Sequence, residues 1–383
     1  MKFLTKLKNS IMQYLRNTNK SLVLLCMLAS GYGILLVYSA ALSLNYSGPK
    51  TVIMQILATA AGLIAALVIA KFDYESICNL WPVWAVIAFV LVFLTYTPLG
   101  LNVQGTDDTA WLAIPVIGTF QPAELMKIAF IITFSKHLVA VREQINRPLT
   151  VLLLILHGAV PILMVMKQGD DGTALVFICI FAAMMFAAGL KPVYILAAAG
   201  LAGLAVPLAW NMLDDKKKAR FLSLIQIDEY LRSTGWQQYQ GLTAMGSGQL
   251  WGVGYLQGGQ HQLYARNNDF IFTVAGEEFG FIGSLVLLLL LTLIILVILR
   301  DALHARDRLG MFLCVGMMAL IGFQSIINIG MTVRLLPVIG ITLPFFSAGG
   351  SSVATLYLGI GLILSVHYSS RARNKETIFY KKQ

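Results

Sequence analysis

Residues 281–299, which read FIGSLVLLLLLTLIILVIL, form an unbroken apolar run without a charge. A helix needs about 20 such residues to cross roughly 30 Å of bilayer hydrocarbon, so we predict a membrane span over 269–299. The composition extends this conclusion to the chain. Its 383 residues are 58% hydrophobic and 12% charged, about half the charged fraction of soluble domains. Water-soluble and disordered proteins are excluded, and four cysteines exclude a disulfide scaffold.

The apolar segments on either side of this run predict an all-α polytopic membrane protein with about ten transmembrane helices. A long extracytoplasmic loop, 213–268, separates helices 7 and 8. We expect one integral-membrane domain over 1–383, with tails at 1–20 and 370–383. The predicted spans are 22–44, 52–71, 78–97, 121–140, 149–167, 173–190, 192–212, 269–299, 308–332 and 350–369.

The basic residues set the orientation of these spans. With both termini in the cytoplasm, 18 Lys and Arg lie on the cytoplasmic side and nine outside, six of them in the long loop. Long loops cross membranes regardless of charge, so the positive-inside rule supports this orientation. Within the loop, the glycine-rich run from Gly246 to Gly259 is predicted to be unable to hold a regular helix. In the second span, the small residues 58–62 permit close helix packing.

Charged groups inside or beside spans are functional suspects. Glu124 and Lys127 lie three residues apart and can pair on one helix face, either as a structural ion pair or as a polar wall for a charged substrate. Asp170 precedes a predicted helix and Asp269 opens another. Each is either an N-cap or a site residue.

Two further features carry similar alternatives. Glu277 and Glu278 are adjacent and cannot share one helix face, so at least one faces protein or a water-filled cavity. Hydrogen bonding to neighbouring helices is the structural alternative. The run 349–352, Gly-Gly-Ser-Ser, precedes the last span and forms either a plain turn or an anion-binding helix start.

These motifs, in this order, resemble the SEDS family (shape, elongation, division, sporulation; RodA/FtsW/SpoVE). The matching segments are QPAELMK at 121–127, QGDDGT at 168–173, Gln240 with AMGSG at 244–248, NDFIF at 268–272, EEFG at 277–280, NIGM at 328–331 and LPFFSAGGSS at 343–352. The chain departs from the family pattern at Asp107, Asp108, Ala110, Gly169, Arg334, Ile339 and Ala348. Residues 263–269 also lack the family's Pro, Glu and His.

The resemblance implies a peptidoglycan glycosyltransferase in the bacterial cytoplasmic membrane, polymerising lipid II through β-1,4 bonds and releasing undecaprenyl pyrophosphate. Asp269 matches the family's catalytic aspartate, and we expect it to take the proton of the acceptor hydroxyl. The predicted supporting residues are Glu124, Lys127, Asp170, Arg220, Gln240, Ser247, Glu277, Ser347 and Ser351. Arg220 and the adjacent basic run 216–218 are available to the pyrophosphate, or form a solvated or lipid-facing surface.

The resemblance also implies partners. These are lipid II, membrane lipids and a class B penicillin-binding transpeptidase, with no nucleic acid. A divalent cation, Mg²⁺ or Mn²⁺, is a candidate cofactor for the pyrophosphate, although no ligand set is visible in the sequence. Two other functions remain open: a lipid II flippase, which would place its site near the bilayer midplane, and a non-catalytic scaffold.

Overall fold

The computed structural model describes residues 17–43, 48–102, 108–114, 118–230, 233–259 and 263–380. Most of the predicted tail 1–20 therefore lies outside the described residues. In chain order, the helices are α1 Lys20–Ser43, α2 Gly48–Ile69, α3 Tyr74–Asn79, α4 Trp81–Leu94, α5 Pro122–Ala140, α6 Pro148–Lys167, α7 Asp171–Ala187, α8 Pro192–Met212, α9 Asp215–Ile225, α10 Ile227–Tyr230, α11 Trp236–Ser247, α12 Ile271–Leu303, α13 Arg308–Thr332 and α14 Gly350–Tyr380.

The predicted membrane fold is confirmed, since each of the ten predicted spans corresponds to a helix in the described part of the chain. Six helices are long and apolar enough to cross a bilayer (α1, α2, α6, α12, α13 and α14), and α4, α7 and α8 are shorter apolar helices. The tenth, α5, carries the charged residues Glu124 and Lys127, both of them buried.

Several predicted boundaries were wrong. The span predicted at 78–97 is interrupted at Leu80, where α3 ends and α4 begins with a proline in its first turn. The last helix continues through the predicted tail to Tyr380. The segment before α5 contains an antiparallel sheet that the sequence did not predict. Its strands are β1 Gly100–Leu101, β2 Trp111–Ile114 and β3 Gly118–Phe120, in the order β1-β2-β3.

The long loop is more helical than predicted. It contains α9, α10 and α11, and α11 runs through Gly241 and Gly246 to Ser247. The prediction that the glycine-rich run cannot hold a helix is therefore wrong for Gly246. It holds from Gly248 onward, because Gly252, Gly254 and Gly259 have positive φ angles, which glycine adopts without steric cost.

The close packing predicted for the second span is confirmed. A Cβ added to Gly62 of α2 would lie 3.0 Å from the Tyr357 side chain of α14. From the opposite side, a Cβ added to Gly361 would lie 2.9 Å from the Ala66 backbone. Small residues thus let α2 and α14 approach closely, as is usual between membrane helices.

The helix α12 is broken at Gly280, whose φ of 66° and ψ of −160° are not helical. Its 33 residues would extend about 50 Å at ~1.5 Å per residue, more than the bilayer core requires. The stretch after Gly280 is long enough to span. Residues 271–279 therefore form a separate helical stretch at the loop end of the span.

The glycine-rich segment fills this break. The Val253 N–H donates to the carbonyl of Glu277 (2.9 Å), and the Phe281 N–H donates to the carbonyl of Gln249 (2.8 Å). A Cβ added to Gly252 would lie 2.1 Å from the Glu278 carbonyl oxygen, so only glycine fits there. Backbone groups that the break frees are thus satisfied by the loop, as a non-helical segment beside a membrane requires.

Candidate functional site

Four helices, α5, α7, α12 and α14, begin at one end of the bundle, and hydrogen bonds join their first residues. Gln121, which precedes α5, donates from Nε2 to Asp170 Oδ2 (2.7 Å). The Gln121 N–H donates to Ser351 Oγ in the first turn of α14 (3.5 Å). The Ala348 N–H donates to the carbonyl of Asn267, ahead of α12 (2.8 Å). Helix N-termini expose unpaired N–H groups, so this end favours anionic ligands.

Asp269 lies in this end of the bundle, two residues before α12. Its side chain is half-buried, and within the described residues its carboxyl forms no ion pair and no hydrogen bond. The backbone is held, because Asn328 Nδ2 donates to the Asp269 carbonyl (2.9 Å) and to the Ile341 carbonyl (2.6 Å). Gly340 lies opposite, where an added Cβ would be 3.8 Å from Asp269 Oδ2.

The charge on Asp269 is disfavoured by its surroundings. Burial raises the pKa of this carboxyl from 3.8 to about 7, and the charges of Asp170 and Asp108 add to the shift. Desolvation and like charges both favour the protonated form. A carboxyl with a pKa near neutrality can both accept and release a proton, which is the requirement for general acid–base chemistry.

Asp170 caps the N-terminus of α7, which was one of the two roles predicted for it. Its Oδ1 accepts from the Thr173 N–H (2.8 Å) while Oδ2 accepts from Gln121. Burial nevertheless raises the pKa of Asp170 to about 6, and Asp108 adds to the shift, whereas Thr173 and Lys127 oppose it. Cap and site are therefore not exclusive here, since the charge of the capped carboxyl also acts on Asp269.

Asp108 is a third carboxylate at this end that the sequence did not single out as a site residue. It is half-buried, and its Oδ1 is buried without a hydrogen-bond partner. The neighbouring Thr109 N–H donates to the carbonyl of Gln168 (3.1 Å), which fixes this segment above the start of α7. The only sequence feature that could have drawn attention to Asp108 was its place among the residues before Trp111 that depart from the family pattern.

Glu124 and Lys127 form the ion pair that their spacing predicted. Lys127 Nζ lies 2.9 Å from Glu124 Oε1 and donates to Gln324 Oε1 of α13 (3.0 Å). Both side chains are buried. A small cavity between α5, α13 and α14 is lined by Glu124, Gln324 and Ser352, among others. Glu124 therefore contributes to one wall of this cavity, and Lys127 already neutralises its charge.

Two predicted serines lie at the same end. Ser347 is buried, donates from Oγ to the Asn268 carbonyl (2.6 Å), and accepts from the Leu343 N–H (2.7 Å). Ser351 accepts from Gln121, as described above. Neither contacts the Asp269 carboxyl, and each instead fixes a segment that carries a site carboxylate.

The loop helix α9 lies against the site. Lys217 Nζ is 2.5 Å from Asp171 Oδ2 at the start of α7. Arg334 Nη2 donates to the carbonyls of Ser223 and Leu224, at the other end of α9 (3.3 and 3.1 Å). Arg220 is three residues after Lys217 and therefore on the same helix face. Helix periodicity thus puts Arg220 on the same side of α9 as Lys217, the residue that contacts the start of α7.

The remaining predicted residues lie elsewhere. Glu277 pairs with Arg266 (2.5 Å between Oε2 and Nη2) and accepts from the Gly259 N–H (3.0 Å). Ser247 donates to the Ala244 carbonyl at the end of α11 (2.7 Å). Gln240 lies half-buried on α11. The described contacts do not bring these three residues to the Asp269 carboxyl.

Both adjacent acids of α12 are buried, not one alone. Glu278 accepts hydrogen bonds from Ser39 of α1 and from the Leu256 N–H (3.4 Å), and its Oε1 lies 3.8 Å from Arg266 Nη2. The structural alternative, hydrogen bonding to neighbouring elements, therefore describes both. The break at Gly280 explains this, since loop segments pack around the first stretch of α12 on several sides.

No group of three or more His, Cys, Asp or Glu side chains with metal-binding geometry occurs among the described residues. The three carboxylates at Asp108, Asp170 and Asp269 thus do not form a preorganised site for the predicted Mg²⁺ or Mn²⁺.

Comparison with known proteins identifies relatives over nearly the whole chain. The family model FTSW_RODA_SPOVE, described as "Cell cycle protein", matches residues 19–372. The stage V sporulation protein E of Bacillus subtilis is 33% identical over 363 residues, covering 91% of this chain and 97% of the relative. The peptidoglycan glycosyltransferase MrdB of Escherichia coli K12 is 31% identical over 353 residues, covering 89% and 92%.

Solved structures show the same fold. A structure described as "Structural coordination of polymerization and crosslinking by a peptidoglycan synthase complex" matches with a TM-score of 0.78 and 26% identity, covering 92% of this chain and 98% of the other. The rod shape determining protein RodA of Thermus thermophilus matches with a TM-score of 0.67 and 26% identity, covering 91% and 96%. The chain therefore belongs to the FtsW/RodA/SpoVE family of cell cycle proteins, the SEDS family.

Proposed function

We propose that this membrane protein is a peptidoglycan glycosyltransferase that polymerises lipid II, with Asp269 as the general base. The names of its relatives, which include peptidoglycan glycosyltransferases, support the reaction class. One observation carries the assignment to Asp269. Among the described residues its carboxyl has no cation beside it, and its surroundings raise its pKa to about 7.

The chemistry follows from the substrate. The acceptor is a sugar hydroxyl, which is a weak nucleophile at neutral pH. As its oxygen bonds to the anomeric carbon of the donor sugar, its proton passes to the ionised Asp269 carboxylate. The bond from the donor carbon to the pyrophosphate oxygen breaks, and its electron pair leaves with undecaprenyl pyrophosphate. A positioned base of this kind contributes about 10²–10⁴-fold to the rate.

The leaving pyrophosphate needs positive charge. Arg220 is suited to this task because no ion pair of its side chain occurs among the described residues, and because it lies one turn after Lys217, which contacts the start of α7. Lys127 is less suited, because Glu124 and Gln324 already occupy its ammonium group. The converging N-termini of α5, α7 and α14 add partial positive charge. In this scheme Glu124, Ser347 and Ser351 hold the walls of the site.

The basic residues of the chain favour an orientation with both termini in the cytoplasm and Asp269 at the outer face. Lipid II would then be met outside the membrane. A class B penicillin-binding transpeptidase is the proposed partner, because one structural relative is a complex that polymerises and crosslinks peptidoglycan. The flippase alternative is disfavoured, since the carboxylates of Asp170 and Asp269 lie at helix ends rather than in the middle of spans.

Purified protein supplied with lipid II tests the proposal. We expect glycan strands from the wild type, none from Asp269→Asn, and normal strands from Asp215→Asn, which removes an exposed acid from the loop helix α9. Strands of normal length from Asp269→Asn would refute the base assignment. Translocation of labelled lipid II in liposomes without polymerisation would favour the flippase.

A further inference from the structure

The single glutamine of α2, Gln55, forms hydrogen bonds with both groups of its side-chain amide. Both bonds go to the turn that precedes α14. The Gln55 Nε2 donates to the Ser347 carbonyl (3.1 Å), and its Oε1 accepts from the Gly349 N–H (3.0 Å). Gln55 is 2% exposed and lies in a largely apolar span. A polar side chain at this depth is costly unless both groups are paired, and it marks a functional constraint.

The turn held by Gln55, residues 343–349, is strained. Phe345 has a φ of 70°, a left-handed conformation that a bulky side chain rarely adopts. Such a conformation is unfavourable and persists only where its surroundings fix it. The helix α1 supplies a second support, because a Cβ added to Gly33 would lie 2.5 Å from the Phe345 carbonyl oxygen. The backbone of the turn thus rests directly on α1 and α2.

The same turn holds the two residues before Asp269. Ser347 Oγ donates to the Asn268 carbonyl (2.6 Å), and the Ala348 N–H donates to the Asn267 carbonyl (2.8 Å). A continuous chain of hydrogen bonds therefore runs from Gln55 through the turn to the backbone that carries Asp269. The matching family motifs begin only at residue 121, so α2 lies outside the part of the chain that the motifs identify.

We propose that Gln55 is a positioning residue for Asp269, acting through the 343–349 turn. This inference rests on the proposed function, because it assumes that Asp269 takes the proton. Displacing a catalytic group by about 1 Å can cost on the order of 10²-fold in rate. Gln55 touches neither substrate nor the reacting atoms, so its loss is expected to lower kcat and to leave KM for lipid II nearly unchanged.

The test compares Gln55→Met with Thr59→Val. Methionine keeps the volume and removes both hydrogen bonds. Thr59 is one turn further along the same face of α2, and its hydroxyl is buried without a hydrogen-bond partner. We expect Gln55→Met to lower kcat about tenfold or more at similar KM, and Thr59→Val to behave as wild type. Equal kcat in the two variants would overturn the proposal.

A double-mutant cycle separates positioning from general loss of stability. Ser347→Ala removes one of the two hydrogen bonds that join the turn to residues 267 and 268, without altering α2. If both residues act through one turn, Gln55→Met together with Ser347→Ala costs little more than the worse single variant. Fully additive losses would contradict the proposal. If Gln55→Met does not fold, Ser347→Ala alone must lower kcat at unchanged KM, and wild-type kcat in that variant would overturn it.

Hydrogen exchange provides a measurement independent of activity. Gln55→Met should speed exchange in peptides covering 343–349 and 265–270, whereas Thr59→Val should not. Protection in both peptides that matches the wild type would overturn the link. The two proposals fail separately: an active Asp269→Asn refutes the base, while exchange still tests whether Gln55 holds the segment.

Discussion

Two groups of acids lie on either side of the start of α12, and their surroundings differ. Asp269 has two other carboxylates as its charged neighbours. Glu277 and Glu278 share the buried Arg266 and accept further hydrogen bonds from Gly259, Leu256 and Ser39. All three acids belong to the same pair of motifs. The comparison teaches that a buried acid beside a cation is tied to that partner and costly to separate from it, whereas an acid without a cation is left reactive.

Removing the cation should have the largest effect on folding. Arg266→Met leaves Glu277 and Glu278 buried with no counter-charge, and breaking a buried pair in this way costs about 3–5 kcal/mol. We expect a large loss of folded protein in detergent, measured by thermal unfolding and membrane yield. Restored stability in Arg266→Met combined with Glu277→Gln and Glu278→Gln would confirm the electrostatic cause. Wild-type stability in Arg266→Met would show that the cluster is not a structural ion group.

Matched amide substitutions should affect activity in one group of acids and stability in the other. Asp269→Asn is expected to fold at least as well as wild type, because it removes an unpaired, desolvated carboxyl, and to lose about 10²–10⁴-fold in turnover. Glu277→Gln should lose about 1–3 kcal/mol of stability, since it weakens a charged hydrogen bond, and should retain turnover per folded molecule. Thermal unfolding and single-turnover rates measure the two effects. Lost stability in Asp269→Asn together with lost turnover in Glu277→Gln would contradict this distinction between the two groups.

The pH dependence of polymerisation should report on the carboxylates around Asp269. The base works only when ionised, so the rate should fall as pH drops through about 7, the raised pKa of Asp269. Asp108→Asn removes a like charge, which lowers the pKa of Asp269 and moves this limb to lower pH. A profile of kcat against pH measures the shift. If the acid limb of the kcat profile has the same midpoint pH in Asp108→Asn as in wild type, Asp108 does not influence the pKa of Asp269.

The smallest effect is expected at the half-exposed pair between Lys217 and Asp171. Their side chains are 34% and 37% exposed, so water screens the charges and the pair contributes less than about 1 kcal/mol. Lys217→Ala should leave thermal unfolding nearly unchanged. Arg220→Ala on the same face should instead raise KM or lower kcat for lipid II. If both variants have the kcat and KM of the wild type, these residues of α9 do not contribute to substrate binding.

Much of the fold could be predicted because its signals are local. Apolar runs placed the ten spans, and the three-residue spacing of Glu124 and Lys127 predicted their pair. The amphipathic sequence of α9 also carried a local signal, which the mixed composition of the loop obscured. Bends within spans were not predictable, because the break at Gly280 depends on a loop segment that packs against it.

The site was predictable only in part. Asp269 and Asp170 precede helices, and the motifs identified them. Arg266 was not recognisable as the partner of Glu277, because a non-helical stretch separates them and its path fixes the contact. Gln55 did carry a signal, since an amide in an apolar span requires a partner. The identity of that partner, a turn almost 300 residues away, follows only from the packing of α2 on α14.

The break at Gly280 gives the two parts of α12 different neighbours. Residues 271–279 are bonded to the glycine-rich segment and to Arg266, so the extramembrane loop fixes their place. The stretch beyond Gly280 packs within the bundle against α1 and α13. A Cβ at Gly280 would lie 2.4 Å from the Gly252 nitrogen, so alanine at this position would push the loop out of the break. The loop thus acts as a backbone splint for the helix that follows Asp269, and it can do so only while residue 280 has no side chain.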